Sequence, residues 1–162
     1  METLHQILQN STSSDGNIRK EAESKLFEIP ILTLLNASFS KIDVSLSLIC
    51  LSSIKSRIDK SDESIKAQVA LLIIQNLNQS NQPFSRQLAI ILSKITRSEY
   101  PIRIPSLFDH FSSSIQQVLA ENPISVNSLN AISTLHQIIK MLASKSLPIS
   151  KRQFSVVCSC LF

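Results

Sequence analysis

The chain has 162 residues, of which 43% are hydrophobic, and it contains a single glycine. This length gives room for one domain with a sizeable core. The hydrophobic content argues against a disordered chain, and the lone glycine argues against a glycine-rich phosphate loop. The net charge of +4 comes from scattered basic residues without interleaved aromatic residues, so nucleic-acid binding is not expected.

Side chains that carry catalysis or bind metals are sparse and badly spaced for either role. The three cysteines, Cys50, Cys158 and Cys160, lack metal-site spacing and suit a reducing compartment. On a helix Cys158 and Cys160 point about 200° apart, which predicts one core thiol and one surface thiol. The histidines are far apart, and no serine lies in a nucleophile elbow. We therefore predict no enzyme activity, no cofactor and no metal.

Nothing in the sequence directs the chain to a membrane. Its first residues are polar and amphipathic, unlike a signal peptide, and the longest wholly apolar run, residues 69–74, is far too short to span a bilayer. A soluble, intracellular protein is predicted. The glycosylation-like sequences at Asn10, Asn36 and Asn78 are then chance matches, because no secretory route is indicated.

Apolar residues recur at helical spacing along nearly the whole chain. A short first helix is predicted around residues 4–8, and a second over residues 17–28. In the second helix Ile18, Ala22 and Leu26 recur every four residues, so they are expected to stack on one face.

Capping residues mark the next boundaries. Asp15 or Asn17 is expected to cap the second helix, because either side chain accepts hydrogen bonds from unpaired helix amides. Pro30 is expected to open the third helix, which ends at a break over residues 38–43. The short apolar face of this third helix consists of Ile31, Leu34 and Leu35.

A fourth and a fifth helix follow. The charged connection between them covers residues 59–63, where Ser61 or Asp62 is the expected cap. The apolar face of the fourth helix is predicted to contain Val44, Leu48, Leu51, Ile54 and Ile58. That of the fifth is predicted to contain Ile65, Val69, Leu72, Ile73 and Leu77.

Residues 82–105 show the clearest pattern, a short helix, a turn and the start of another helix. The apolar stripe of this sixth helix has the spacing i, i+3, i+4, i+7 and consists of Leu88, Ile91, Leu92 and Ile95. The residues expected largely off the stripe are Arg86, Gln87, Ser93, Lys94 and Arg97. After Tyr100, Pro101 and Pro105 are expected to stop one helix and open the next.

Three more helices are predicted, over residues 104–119, 126–142 and 154–161. The breaks between them fall at residues 122–123 and 146–150, and each contains a proline. The apolar face of the eighth helix is predicted to contain Val126, Leu129, Ile132, Leu135, Ile139 and Leu142.

Short connections make successive helices antiparallel neighbours. The hairpins recur at roughly 30–40 residues, the period of HEAT-type repeats. We therefore predict an all-α fold: a right-handed α-solenoid of antiparallel helix hairpins with about four and a half repeats. A globular helix bundle would give the same pattern. The unpartnered apolar stripe of the ninth helix indicates an N-terminal piece of a longer solenoid.

Three segments resemble the importin-beta (karyopherin) family. Residues 18–26, IRKEAESKL, resemble the hRxxAExxL helix that opens the family. Residues 86–107, with SKITRSEYP followed by IPSL, resemble its third helical pair. Residues 142–154, with LASKSL and a later RQF, are similar to the importin-11-like branch. The resemblance covers nearly all of the chain.

This resemblance implies that residues 1–162 are the N-terminal HEAT-repeat domain of a nuclear transport receptor. In that family this region binds the small GTPase Ran in its GTP form, here expected within about residues 15–105. Ran then competes with cargo held elsewhere on the solenoid. Cargo proteins and nucleoporins are the other implied partners, and the implied location is shuttling between cytoplasm and nucleus through the pore.

In the family, Ran contacts come mainly from the second helix of each repeat. The residues assigned to Ran by this resemblance are Arg19, Glu23, Lys55, Arg86 and Lys94. The alternative for each is solvated helix surface, with i, i+4 pairs such as Arg19 with Glu23.

The sequence departs from the family pattern at two places. Ile104 replaces a tryptophan before proline, which keeps the turn and loses an aromatic anchor. Ser52 and Ser53 stand where the family usually has Lys-Asn, with Lys55 displaced. The alternative function is a generic HEAT or armadillo scaffold that binds another protein.

Overall fold

The computed structural model describes residues 3–40, 43–77, 82–99, 104, 107–120 and 126–143. Within these ranges the chain forms eight α-helices and one 3-10 turn, Ile58–Lys60, and no strand. The helices are α1 (Leu4–Asn10), α2 (Gly16–Glu28), α3 (Ile31–Phe39), α4 (Val44–Arg57), α5 (Glu63–Asn76), α6 (Gln82–Glu99), α7 (Leu107–Ala120) and α8 (Val126–Ala143). The prediction of an all-α fold is confirmed for this part of the chain.

Two compact units make up the chain, Met1–Arg57 and Ile58–Phe162. In the first unit α1 packs against α2, α3 packs against α4, and α1 also contacts α4. Arg57 at the end of α4 donates a hydrogen bond to the carbonyl of Leu26 at 3.2 Å, and its guanidinium lies 5.5 Å from the centre of the Phe27 ring. The C-terminal ends of α2 and α4 therefore lie together, as in the second helices of two stacked hairpins.

In the second unit α5 packs against α6, α7 packs against α8, and the contact of α6 with α8 is the most extensive. Lys66 near the start of α5 pairs with Glu99 at the end of α6, with 3.2 Å between nitrogen and oxygen. This pair shows that α5 and α6 run antiparallel. The arrangement is compatible with an α-solenoid, whereas the handedness and the number of repeats stay predictions.

Helix starts follow the capping residues of the sequence. Asp15 caps α2, because its carboxylate accepts from the amide of Asn17 at 2.8 Å and from that of Ile18 at 3.4 Å. Pro30 occupies the N-cap position of α3, as predicted. Asp62 occupies that of α5 without a side-chain hydrogen bond.

The predicted apolar faces hold best in α3 and α6. Ile31, Leu34 and Leu35 are all buried in α3. The α6 residues at i, i+3, i+4 and i+7 are no more than 1% exposed, which confirms the predicted stripe of Leu88, Ile91, Leu92 and Ile95. This helix was predicted to be short, but it has 18 residues.

Other predicted faces are rotated relative to the buried ones. Ile18 in α2 is 44% exposed, whereas Ala22 and Leu26 are buried. Val44 in α4 is 48% exposed, and Leu48 is half-buried. The buried residues of α4 are Leu46, Ser47, Cys50, Leu51 and Ile54. A small side chain such as that of Ser47 can be buried on a helix face. The prediction used only hydrophobic residues and therefore assigned the wrong face of α4 to the core.

The same correction applies to α8. Leu129 is 53% exposed and Ile132 is 38% exposed, although both were predicted to face the core. Leu135 is buried as predicted, and Ile139 is half-buried. The side chains that the described part of α8 buries are Asn130, Thr134, Leu135 and Ile138.

Two boundaries also differ from the prediction. Ser38 lies inside α3, where its hydroxyl donates to the carbonyl of Leu35 at 2.7 Å and so remains satisfied while buried. Ile104 is buried but precedes α7, and its carbonyl accepts from the amide of Leu107 at 3.2 Å. The predictions for Tyr100, Pro101, Pro105, the connections at 122–123 and 146–150, and the ninth helix lie outside the described residues.

Candidate functional site

The five candidate Ran-binding residues lie on three helices, each the second member of a hairpin. Arg19 and Glu23 are exposed on α2, and Lys55 is half-buried on α4. Arg86 is exposed and Lys94 is half-buried on α6. The first three belong to the first compact unit and the last two to the second. Binding by any of them stays a prediction.

Arg19 contributes to the local structure at the start of α2. Its guanidinium donates to the carbonyl of Ser13 at 3.3 Å, which braces the connection between α1 and α2. An i, i+4 ion pair on this helix joins Glu21 and Lys25 at 2.7 Å, two positions away from the Arg19–Glu23 pair that was considered. The exposed surface of α2 therefore carries charges of both signs.

The departure from the family pattern on α4 has a structural counterpart. Ser52 is exposed, and Ser53 is half-buried. The Ser53 hydroxyl oxygen is shielded from solvent and has no hydrogen-bond partner among the described residues. Since an unsatisfied buried hydroxyl costs free energy, this position stabilises the fold poorly.

The helix α6 has a sharply divided surface. At about 100° per residue, its buried side chains cover one continuous arc, which includes the stripe at Leu88 and Glu99 at the helix end. Arg86, Lys94 and Arg97 fall within about 80° of one another on the opposite, solvent-facing arc. We call these three residues the cationic row. Ile90 is half-buried between them.

Ion pairs tie α6 to the residues around the start of α5. The Lys94 ammonium pairs with a carboxylate oxygen of Asp59, in the 3-10 turn that precedes α5. Glu99 is buried at the end of α6 and accepts from Lys66 at 3.2 Å and from the Ser98 hydroxyl at 2.9 Å. Asp59 and Lys94 are 35 residues apart in sequence, so Asp59 was not assigned to the site in advance. Arg97 was expected only to lie off the apolar stripe, and its i, i+11 spacing from Arg86 is the sequence signal that places both on one face.

Two titratable groups among the described residues have shifted pKa values, and neither is on α6. Burial raises the pKa of the Cys50 thiol from 9.0 to about 11, so this thiol is unreactive at neutral pH. Burial lowers the pKa of His110 on α7, which packs edge-on against the Phe111 ring with 5.8 Å between ring centres. The described residues contain no cluster of three His, Cys, Asp or Glu side chains that could hold a metal ion.

Of the helices that the structure describes, none has the length and hydrophobicity required to cross a lipid bilayer.

Part of the chain is similar in sequence to a known protein. The chain is 37% identical over 75 residues to the importin beta-like protein kap113 of Schizosaccharomyces pombe. The matched segment is 46% of this chain and 8% of the relative. No protein-family model and no solved structure matches the chain. The similarity supports a relation to the importin-beta family at the coarse level and does not distinguish an importin-11-like branch.

Proposed function

We propose that this chain is the N-terminal part of a nuclear transport receptor of the importin-beta kind and that it binds Ran in its GTP form. The 37% identity over 75 residues to an importin beta-like protein is the observation that carries the proposal. The paired helices of the structure support it, because stacked hairpins build such a solenoid. The proposed domain is residues 1–162, with the Ran-binding region within about 15–105.

The proposed contacts come from the second helices of the first three hairpins. Arg19, Glu23 and Arg86 are exposed, so a partner can reach them without unfolding any helix. Lys55 and Lys94 are half-buried and present part of the side chain to solvent. Charged groups at the surface steer association and fix the orientation of a partner more than they add affinity.

The proposed mechanism is thermodynamic linkage. If Ran-GTP prefers one conformation of the solenoid and cargo prefers another, each ligand lowers the affinity of the other by the same factor. Cargo and nucleoporins would then be partners of the full-length receptor, which would shuttle between cytoplasm and nucleus. In this proposal the chain is not an enzyme and needs no cofactor.

Calorimetric titration with Ran loaded with GTP or with GDP tests the proposal directly. We expect binding of the GTP form and at least about tenfold weaker binding of the GDP form, a difference of about 1.4 kcal/mol. Replacing both Arg86 and Lys94 by Gln is expected to weaken binding of the GTP form. A matched control is Lys140→Gln, which removes an exposed cation from α8.

Equal binding of the two nucleotide forms would contradict a Ran-regulated receptor. Absence of binding, with a helical far-ultraviolet spectrum, would contradict the proposed function and favour a generic HEAT or armadillo scaffold. The departure from the family pattern at Ser52 and Ser53 is the observation that favours this second candidate.

A further inference from the structure

The solvent-facing arc of α6 carries three cations and no acidic side chain. Going around the helix, the exposed and half-buried side chains fill a continuous arc of about 120°, and buried side chains fill the rest. The members of this arc are Pro83, Arg86, Gln87, Ile90, Lys94, Arg97 and Ser98. The exposed surface of α2 differs, because it carries charges of both signs, such as the paired Glu21 and Lys25. The exposed arc of α6 carries only positive charges.

The cationic row has the dimensions of a short peptide-binding surface. Arg86 and Arg97 are separated by about 16 Å along the helix axis, at about 1.5 Å per residue. Ile90 lies between the cations and is half-buried, so the middle of the row offers an apolar contact. An apolar centre with charged flanks is the usual anatomy of a protein-binding surface.

Asp59 places a carboxylate against this row from another element. Its side chain is 58% exposed and that of Lys94 is 27% exposed, so the pair is accessible to water on at least one side. Ion pairs that water can reach contribute little to stability, because the solvent screens the attraction and both side chains lose freedom when they pair. The Lys94 ammonium can therefore exchange the Asp59 carboxylate for one from a partner at small cost to the fold.

We infer that the cationic row of α6 binds a carboxylate-rich segment of a partner protein and that Asp59 acts as a built-in competitor for Lys94. A partner carboxylate replaces Asp59 on Lys94, while Arg86 and Arg97 supply the flanking contacts. The inference deepens the proposed function, on which it rests for the choice of this face. It adds the chemistry of the partner and a residue that tunes affinity.

An acidic protein segment fits the row better than a nucleic acid does. Base stacking on aromatic side chains accounts for much of the binding to single strands, and the described arc of α6 has no aromatic residue. The half-buried Ile90 instead suits an apolar side chain on an acidic peptide.

The test compares two substitutions that change the charge equally. Asp59→Asn removes the competing carboxylate. Asp62→Asn removes the carboxylate of an exposed neighbour that makes no side-chain capping hydrogen bond, and Asn is an equally good N-cap. Three probes are titrated at low ionic strength: a peptide of about six glutamates, about 20 Å long when extended, an oligouridine of similar length, and Ran-GTP.

We expect Asp59→Asn to bind the glutamate peptide about threefold more tightly than the unmodified chain, and Asp62→Asn to change binding much less. Adding Lys94→Gln to Asp59→Asn is expected to abolish the gain. If Asp59→Asn and Asp62→Asn change peptide binding equally, Asp59 acts only through the net charge of the chain and does not compete for Lys94. That result would overturn the inference. Weaker binding by Asp59→Asn, or tighter binding of an oligouridine than of the peptide, would overturn it as well.

The glutamate peptide and Ran-GTP together separate this inference from the proposed function. If Ran-GTP binds and its affinity is the same with Asp59 or Asn, the proposed function stands and the competitor role fails. If Ran-GTP does not bind but the glutamate peptide shows the Asp59 effect, the proposed function fails and the acidic-segment surface stands.

Discussion

The α3–α4 and α5–α6 hairpins show two ways of joining a pair of helices. In α3 and α4 the most deeply buried side chains are aliphatic or a thiol, among them Leu34, Leu51 and Cys50, each fully buried. The α5–α6 hairpin also has an apolar stripe, but the Lys66–Glu99 ion pair joins its two helices as well, and Asp59 just before α5 pairs with Lys94. Apolar packing accounts for the most deeply buried side chains of the first hairpin. The second hairpin carries ion pairs in addition, of which the exposed Asp59–Lys94 pair is open to competition from a partner.

The largest effect is expected from the apolar hairpin. Leu51→Ala removes a fully buried side chain and leaves a cavity, which is expected to lower the free energy of unfolding by about 3 kcal/mol. Urea unfolding followed by far-ultraviolet circular dichroism measures the change. The matched control is Leu71→Ala on α5, where Leu71 is 51% exposed, with an expected change within about 0.5 kcal/mol. Equal losses at the two sites would contradict the described core.

A smaller effect is expected from the ion pair across α5 and α6. Glu99→Gln leaves the Lys66 ammonium, whose side chain is 12% exposed, without a carboxylate, and is expected to cost about 2 kcal/mol. The same urea titration measures it. Replacing Lys66 by Met together with Glu99 by Leu is expected to restore most of the loss, because no charge then stays buried. If the double substitution is no more stable than Glu99→Gln alone, the unpaired buried charge of Lys66 is not the cause of the lost stability.

The smallest effect on the free energy of unfolding is expected only in alkaline solution, and it comes from Cys50 in the α3–α4 hairpin. Burial raises the pKa of Cys50 from 9.0 to about 11, so between these values the folded chain keeps a proton that the unfolded chain loses. The free energy of unfolding should therefore fall as the pH rises from 9 towards 11, with no contribution from this thiol at neutral pH. In Cys50→Ala this part of the slope should be absent. An unchanged slope would show that Cys50 ionises alike in both states.

The sequence predicted the helices of the described chain better than the faces they bury. Spacing alone identified the stripe at Leu88 and Ile95, because both the apolar pattern and the packing repeat every three to four residues. Ile18 and Leu129 fit the same rule and are exposed, since periodicity defines a face but not whether another helix covers it. Several buried positions were missed because serine or threonine occupies them. Such residues can be buried when their hydroxyls donate to carbonyls of the preceding turn, as that of Thr96 does to Leu92 at 2.8 Å.

The candidate residues Arg86 and Lys94 were chosen from the family resemblance and from an expected place on a second helix. The structure places both on α6, and their role in binding stays a prediction. Asp59 could not be foreseen, because the contact joins residues 35 positions apart and depends on how the 3-10 turn packs against α6. Long-range pairs of this kind are set by tertiary packing, which a local pattern does not contain.

One buried face of α6 consists of small residues and limits which substitutions this helix can accept. Four residues at i, i+4, i+8 and i+11 form this face, and each is no more than 5% exposed: Ser85, Ala89, Ser93 and Thr96. A larger residue there would overpack the interior, at about 1–3 kcal/mol for each substitution. Related chains should therefore retain small residues at these four positions, whereas the exposed position of Pro83 should tolerate substitution. A search of genomes for relatives would gain more from that spacing of small residues than from the charged positions.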